Sequence, residues 1–286
     1  MTYFIDLRAT PSGGICADDA SFWNDTVLLS PSDFSLLIHR RDIVLATHGF
    51  NVSREEGMKT LSLWRQPFNM PASALFIGVL WPGDSRFLPI MDYPFEGDEA
   101  IKSGRLLGHF INEHGDRAAS ISFVSHSLGA RTVLEALKRL KGKARRLILM
   151  AGAIEDDCLV KEYKSAAAKA QEIYILASRE DWVLEFAFPI GNPVGEIVMQ
   201  GHPYFRTALG REGPAQPIPL DQRGGAWQIP DSWNYGHLDY LPRNAVAPAF
   251  PQPVPVPGPT SVIPSNPPIN GWKASWSAGA VSTQLS

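Results

Sequence analysis

A serine attacks a carbonyl only when its hydroxyl stands clear of the backbone and a neighbouring base can take its proton. The string Ser125-His126-Ser127-Leu128-Gly129 offers Ser127 for that task. A nucleophile at a sharp strand-to-helix bend needs small residues two positions before and after it, and Ser125 and Gly129 meet that need. Ile121-Ser122-Phe123-Val124 supplies an apolar strand ahead of the bend, and Ala130 to Leu140 supplies an amphipathic helix behind it. The N-terminus of that helix would aim backbone N–H groups and the positive end of its dipole at developing negative charge, which makes the Leu128 N–H one donor of an oxyanion hole. A second donor is expected from Thr47-His48-Gly49-Phe50-Asn51, which follows the apolar run Ile43-Val44-Leu45-Ala46. Phe50 N–H is the choice there, with Gly49 allowing close backbone approach.

The elements that must hold these pieces alternate regularly. Asp42 to Thr47 reads as a strand, Arg54 to Trp64 as a helix, Ala74 to Trp81 as a strand and Asp98 to Glu113 as a helix. Ala119 to Val124 follows as a strand, Leu128 to Leu140 as a helix, Arg146 to Ala151 as a strand, Val160 to Gln171 as a helix and Glu172 to Ala177 as a strand. Edge strands are expected at Tyr3 to Leu7 and Thr26 to Leu29, and a last strand at Ala226 to Ile229. Strands apolar on both faces and separated by amphipathic helices require a mostly parallel central sheet flanked by helices on both faces, an α/β fold. Residues 1–245 form this domain. The 246–286 remainder is a proline-rich C-terminal tail, with Pro251, Pro253, Pro255, Pro257 and Pro259 alternating in a pattern that favours an extended arm. The tail is read as a surface appendage, or else as a ligand for a partner's aromatic groove.

The strand, bend and helix around Ser127 resemble those of the α/β-hydrolase superfamily, and that resemblance implies the order serine, then an acid, then histidine along the chain. Of the histidines after Ser127, His237 follows the last strand with Gly236 beside it, whereas His202 reads as an ordinary loop residue. His237 is therefore the expected base. The acid expected to orient it is Asp181, which follows the strand ending at Ala177; Asp156, Asp157 and Glu180 are the alternatives. His126 is assigned no catalytic role. The aromatic segments Trp81 to Leu88 and Trp182 to Phe188 are read as walls of a substrate pocket.

The pairing of His48-Gly49-Phe50-Asn51 with Ser125-His126-Ser127-Leu128-Gly129, and with Leu80-Trp81-Pro82 between them, resembles the α/β-hydrolase superfamily. The likeness is to its bacterial esterase/lipase-like serine hydrolases of unassigned substrate and spans roughly residues 42–240. It implies the α/β-hydrolase fold and strengthens Asp181, since such enzymes carry an Asp followed by a hydrophobic pair at that corner. It also implies cleavage of small-molecule or lipid-like carboxylic esters through an acyl-enzyme, with no cofactor and no metal. Thioesterase, amidase or peptidase chemistry on the same three residues stays open, as does a non-catalytic binding scaffold.

Composition narrows the partners. With 26 Lys+Arg against 29 Asp+Glu the net charge is -3, and no dense basic run could track a phosphate backbone, so nucleic acid is not an expected partner. Cys16 and Cys158 have neither disulfide-framework nor zinc spacing. Asp6 and Arg8 interrupt the opening stretch where a signal peptide would be apolar, and no run approaches the ~20 residues of a membrane span. A cytoplasmic location is the expectation.

Overall fold

The computed structural model of the chain describes residues 2–10, 14–65, 74–84, 93–185, 207–217 and 223–241. The proline-rich tail, His202 and the segment from Phe186 to Phe188 lie outside them. Among the described residues, nine strands form one sheet. They are β1 (Tyr3–Arg8), β2 (Cys16–Asn24), β3 (Val27–Leu29), β4 (Asp42–Thr47), β5 (Ala74–Leu80), β6 (Ser120–His126), β7 (Ala144–Met150), β8 (Ala170–Ala177) and β9 (Arg223–Gln228). Their spatial order is β3-β2-β1-β5-β4-β6-β7-β8-β9. β2 runs antiparallel to both β1 and β3, and every other neighbouring pair is parallel.

The helices are α1 (Pro31–Leu37), α2 (Arg54–Trp64), α3 (Tyr93–His114), α4 (Gly129–Arg139), α5 (Lys164–Ala167) and α6 (Leu209–Glu212). The step from β4 through α2 to β5 moves one way across the sheet, and the steps through α3, α4 and α5 move the other way. Because parallel crossovers are right-handed, this reversal puts α2 on one face and the others on the opposite face. The expected two-sided sandwich therefore stands.

Local chemistry sets the boundaries. α2 starts where the Ser53 hydroxyl accepts from the Glu56 N–H and the Glu56 carboxylate accepts from the Ser53 N–H. α1 starts on the same device between Ser30 and Asp33, with Pro31 in its first turn. The core strands are apolar on both sides: Ile43, Val44, Leu45, Phe123, Val124, Leu147, Leu149, Ile173 and Ile175 are all buried.

Three expectations change. The helix expected from Val160 to Gln171 shrinks to α5, since turns occupy 156–163 and β8 must begin at Ala170 to pair with Ala144. Sheet pairing thus overrides the helical propensity of an alanine-rich stretch. β2 forms although Asp18 and Asp19 are exposed, because Ser21 to Asn24 and Cys16 pair with β1, across a register irregularity, and Phe22 to Asn24 also pair with β3; and α1 is present where no helix was expected. No helix of the described residues is long and apolar enough to cross a membrane.

Candidate active site

The site is assembled where parallel strands end. β4 and β6 are neighbours, and their last register pair is Thr47 with Ser125. The chain leaves both strands at the same height, so residues 48–50 and 126–128 emerge side by side. Ligand sites in open parallel sheets form at this carboxyl edge.

Ser127 sits at the bend between β6 and α4 with φ 53°, a left-handed conformation that L side chains adopt at a cost. Its amide donates to Met150 O (3.0 Å) and its carbonyl accepts from Ala153 N–H (3.2 Å), so the strained residue is held from both sides. Gly129 is required by packing: a Cβ there would lie 2.4 Å from His48 O and 3.0 Å from Thr47 O. At Gly49 a Cβ would lie 2.9 Å from Ser127 Cβ and 3.0 Å from His126 Nδ1. The 48–50 loop therefore rests directly on the bend.

His237 Nε2 lies 2.9 Å from Ser127 Oγ, and His237 Nδ1 lies 2.7 Å from Asp181 Oδ2. Ser127, His237 and Asp181 are all buried. Asp181 stands beyond β8 and accepts a second hydrogen bond from the Leu184 N–H through Oδ1 (3.0 Å). A carboxylate on Nδ1 keeps the proton there and leaves Nε2 to take one from a hydroxyl. Of the alternatives, Asp157 is paired with Lys161 and Glu180 is exposed.

The 234–240 loop that carries His237 is braced internally. Tyr235 OH donates to Asp239 O (2.7 Å), Gly236 N–H donates to Asp239 Oδ2 (2.7 Å), and Ser178 Oγ donates to Tyr235 O (2.6 Å) from the end of β8.

His48 shapes the other loop. Its Nδ1 faces Gly49 O at 2.9 Å; a carbonyl can only accept, so Nδ1 carries the proton. Nε2 then accepts from the Trp81 N–H at 3.4 Å, and the Trp81 indole N–H donates to His48 O at 2.8 Å. C=O and N–H of one trans peptide point in opposite directions. Fixing the Gly49 carbonyl toward His48 thus turns the Phe50 N–H away from it. Burial, with Arg8 adding to it, pushes His48 down to about 4, so the imidazole is neutral at physiological pH. Beneath the loop, Arg8 donates to Asp84 (2.6 Å) and Val52 O (2.8 Å), and Asn51 N–H donates to Gly83 O (2.5 Å).

Trp81, expected in a pocket wall, is fully buried and stacked on His48, which makes it a support of this loop. Trp182 and Leu238, next in sequence to Asp181 and His237, are instead 64% and 61% exposed. Among the described residues no group of three or more His, Cys, Asp or Glu side chains is placed to hold a metal ion.

The sequence matches the family model described as alpha/beta hydrolase of unknown function (DUF900) over residues 34–248. The chain belongs to that family. This DUF900 hydrolase is also similar in structure to esterase PE8, with 16% identity over 70% of this chain and 86% of that one, at a TM-score of 0.37. Esterase B from Lactobacillus rhamnosis (HN001) is similar at 11% identity over 83% and 78% of the two chains, TM-score 0.37. No curated protein matches the sequence.

Sequence reasoning passed over His48 and His126 as supports. The one signal for them was position, each lying just beyond or at the end of a buried strand and beside a glycine or serine of the site.

Proposed function

We propose that this hydrolase cleaves carboxylic esters through an acyl-enzyme on Ser127. The observation that carries the reading is the unbroken hydrogen-bond chain from Ser127 Oγ through His237 to Asp181, with the serine at a left-handed bend. As Oγ attacks the ester carbonyl, its proton passes to His237 Nε2, and the resulting oxyanion is met by the N–H groups of Phe50 and Leu128. The imidazolium is stabilised by Asp181 and gives its proton to the departing alcohol. Water then attacks the acyl-serine, losing a proton to His237, which returns one to Oγ as the acid leaves.

Exposed Trp182 and Leu238, flanking the acid and the base, favour an ester with an apolar group near the scissile bond. A fluorophosphonate probe should label Ser127, and p-nitrophenyl esters of graded chain length should turn over faster than a matched amide or thioester. Ser127→Ala should lower turnover by about a million-fold. Absence of labelling together with no turnover above the uncatalysed rate in the unaltered protein would leave a binding scaffold as the better description.

A further inference from the structure

We propose that His126 is a positioning residue that locks the loop bearing His237 onto the serine bend through a side-chain bond to the His237 backbone, a role that rests on the ester-hydrolase reading above. His126 Nε2 lies 2.7 Å from the carbonyl oxygen of His237, 111 residues further along the chain. Since the carbonyl can only accept, Nε2 must carry the proton and Nδ1 must be bare. That bare edge faces Gly49, whose added Cβ would stand 3.0 Å from Nδ1. One imidazole thus touches both loops that the reaction needs in register: the one carrying the base and the one expected to supply an oxyanion donor.

The internal bonds of residues 235–239 fix the shape of the His237 loop but not its distance from the bend. Ser178 ties the loop to β8 at Tyr235. His126 ties it to β6 at His237 itself, and the next residue of β6's chain is Ser127. The bond therefore spans the same gap as the 2.9 Å contact between His237 Nε2 and Ser127 Oγ. Its geometry is confined by packing, as the His126 ring lies 4.8 Å from the His237 ring and 6.3 Å from that of Tyr240.

The ring must also stay uncharged. Burial first, and then neighbouring His237 and His48, hold His126 down to about 3, so it neither competes for the reaction's proton nor repels His237 when that ring becomes cationic.

The test compares His126→Phe, which keeps a ring but no donor, with His126→Gln, whose amide nitrogen can occupy the Nε2 position, using p-nitrophenyl butyrate. Loss of the tether should lower kcat by roughly 10- to 100-fold, the scale of a misplacement of about 1 Å, with KM within about twofold because His126 does not meet substrate. His126→Gln should recover most of that loss. Equal impairment in both variants, or a loss carried by KM, would overturn the role. Ser127→Ala run alongside separates the two levels: turnover retained there refutes the hydrolase reading itself, whereas turnover abolished there but untouched in His126→Phe refutes only the tether. Nitrogen-15 NMR of the wild-type protein supplies a measurement independent of variant folding; a Nδ1–H tautomer at His126 would remove the donor and the proposal with it.

Discussion

Acid should destabilise this fold well before its carboxylates protonate, because two histidines are buried without charge. His48 is held down to about 4 and His126 to about 3, chiefly by burial, against an ordinary value of 6.5. Above that ordinary value both states carry neutral rings and neither residue makes stability depend on pH. As pH falls below it, the unfolded chain binds a proton at each ring while the folded chain does not, so stability must fall with pH until the folded values are reached. At about pH 5 protonation favours the unfolded state by RT ln(1 + 10^1.5), about 2 kcal/mol for each ring, or about 4 kcal/mol for the pair relative to about pH 8. That is a large share of a typical domain stability of about 5–15 kcal/mol. The depressed capping carboxylates of Asp33 and Glu56 lose their contribution only below the ordinary carboxylate range, outside this window. Urea unfolding followed by tryptophan fluorescence at a series of pH values measures the slope directly. His126→Phe should carry a constant offset for its unpaired carbonyl but only about half the wild-type loss between those two pH values. A wild-type stability that stays flat over the range, or a slope unchanged after both histidines are replaced, would refute the reasoning.

Gly129→Ala should cost about 1–3 kcal/mol in the same assay, because its Cβ would press on the His48 carbonyl, which is backbone and cannot swing aside. Asp181→Asn should leave the Leu184 N–H bond in place yet lower kcat by about 10⁴-fold, since an amide there favours the wrong imidazole tautomer. Replacing Trp182 and Leu238 by Gln should lower kcat/KM for a long-chain ester by about tenfold per side chain that covers it, while the acetate ester is hydrolysed as before. An equal loss on acetate would place both side chains outside substrate recognition.

The elements that were readable from sequence are those whose residues are constrained on both faces. Runs such as Ile43 to Ala46 and Ile173 to Leu176 can be little else than central parallel strands, and a bend needing Ser125 and Gly129 has few other places to sit. Asp181 and His237, which the structure brings within hydrogen-bond reach of each other, were expected for the related reason that ligand sites form where such strands end. β2 was not, because its alternation is broken by Asp18 and Asp19 and its pairing comes from two flanking strands. α1 could have been found from Ser30, Pro31 and Asp33, a capping pattern that stands in plain view.

The roles of His48 and His126 were hidden for a deeper reason. Both act on backbone carbonyls, which leave no trace in residue identity, and one of those carbonyls belongs to the far end of the chain. What sets the two residues on adjacent strand ends is the order of the sheet, in which β4 adjoins β6 although β5 lies between them in sequence. Once Thr47 is known to pair with Ser125, the next residue on each strand must lie at one height. Two histidines at those positions, buried and neutral, then have only backbone to hold. A single substitution in either should reach the reaction through the loop it grips, and not through any proton it exchanges.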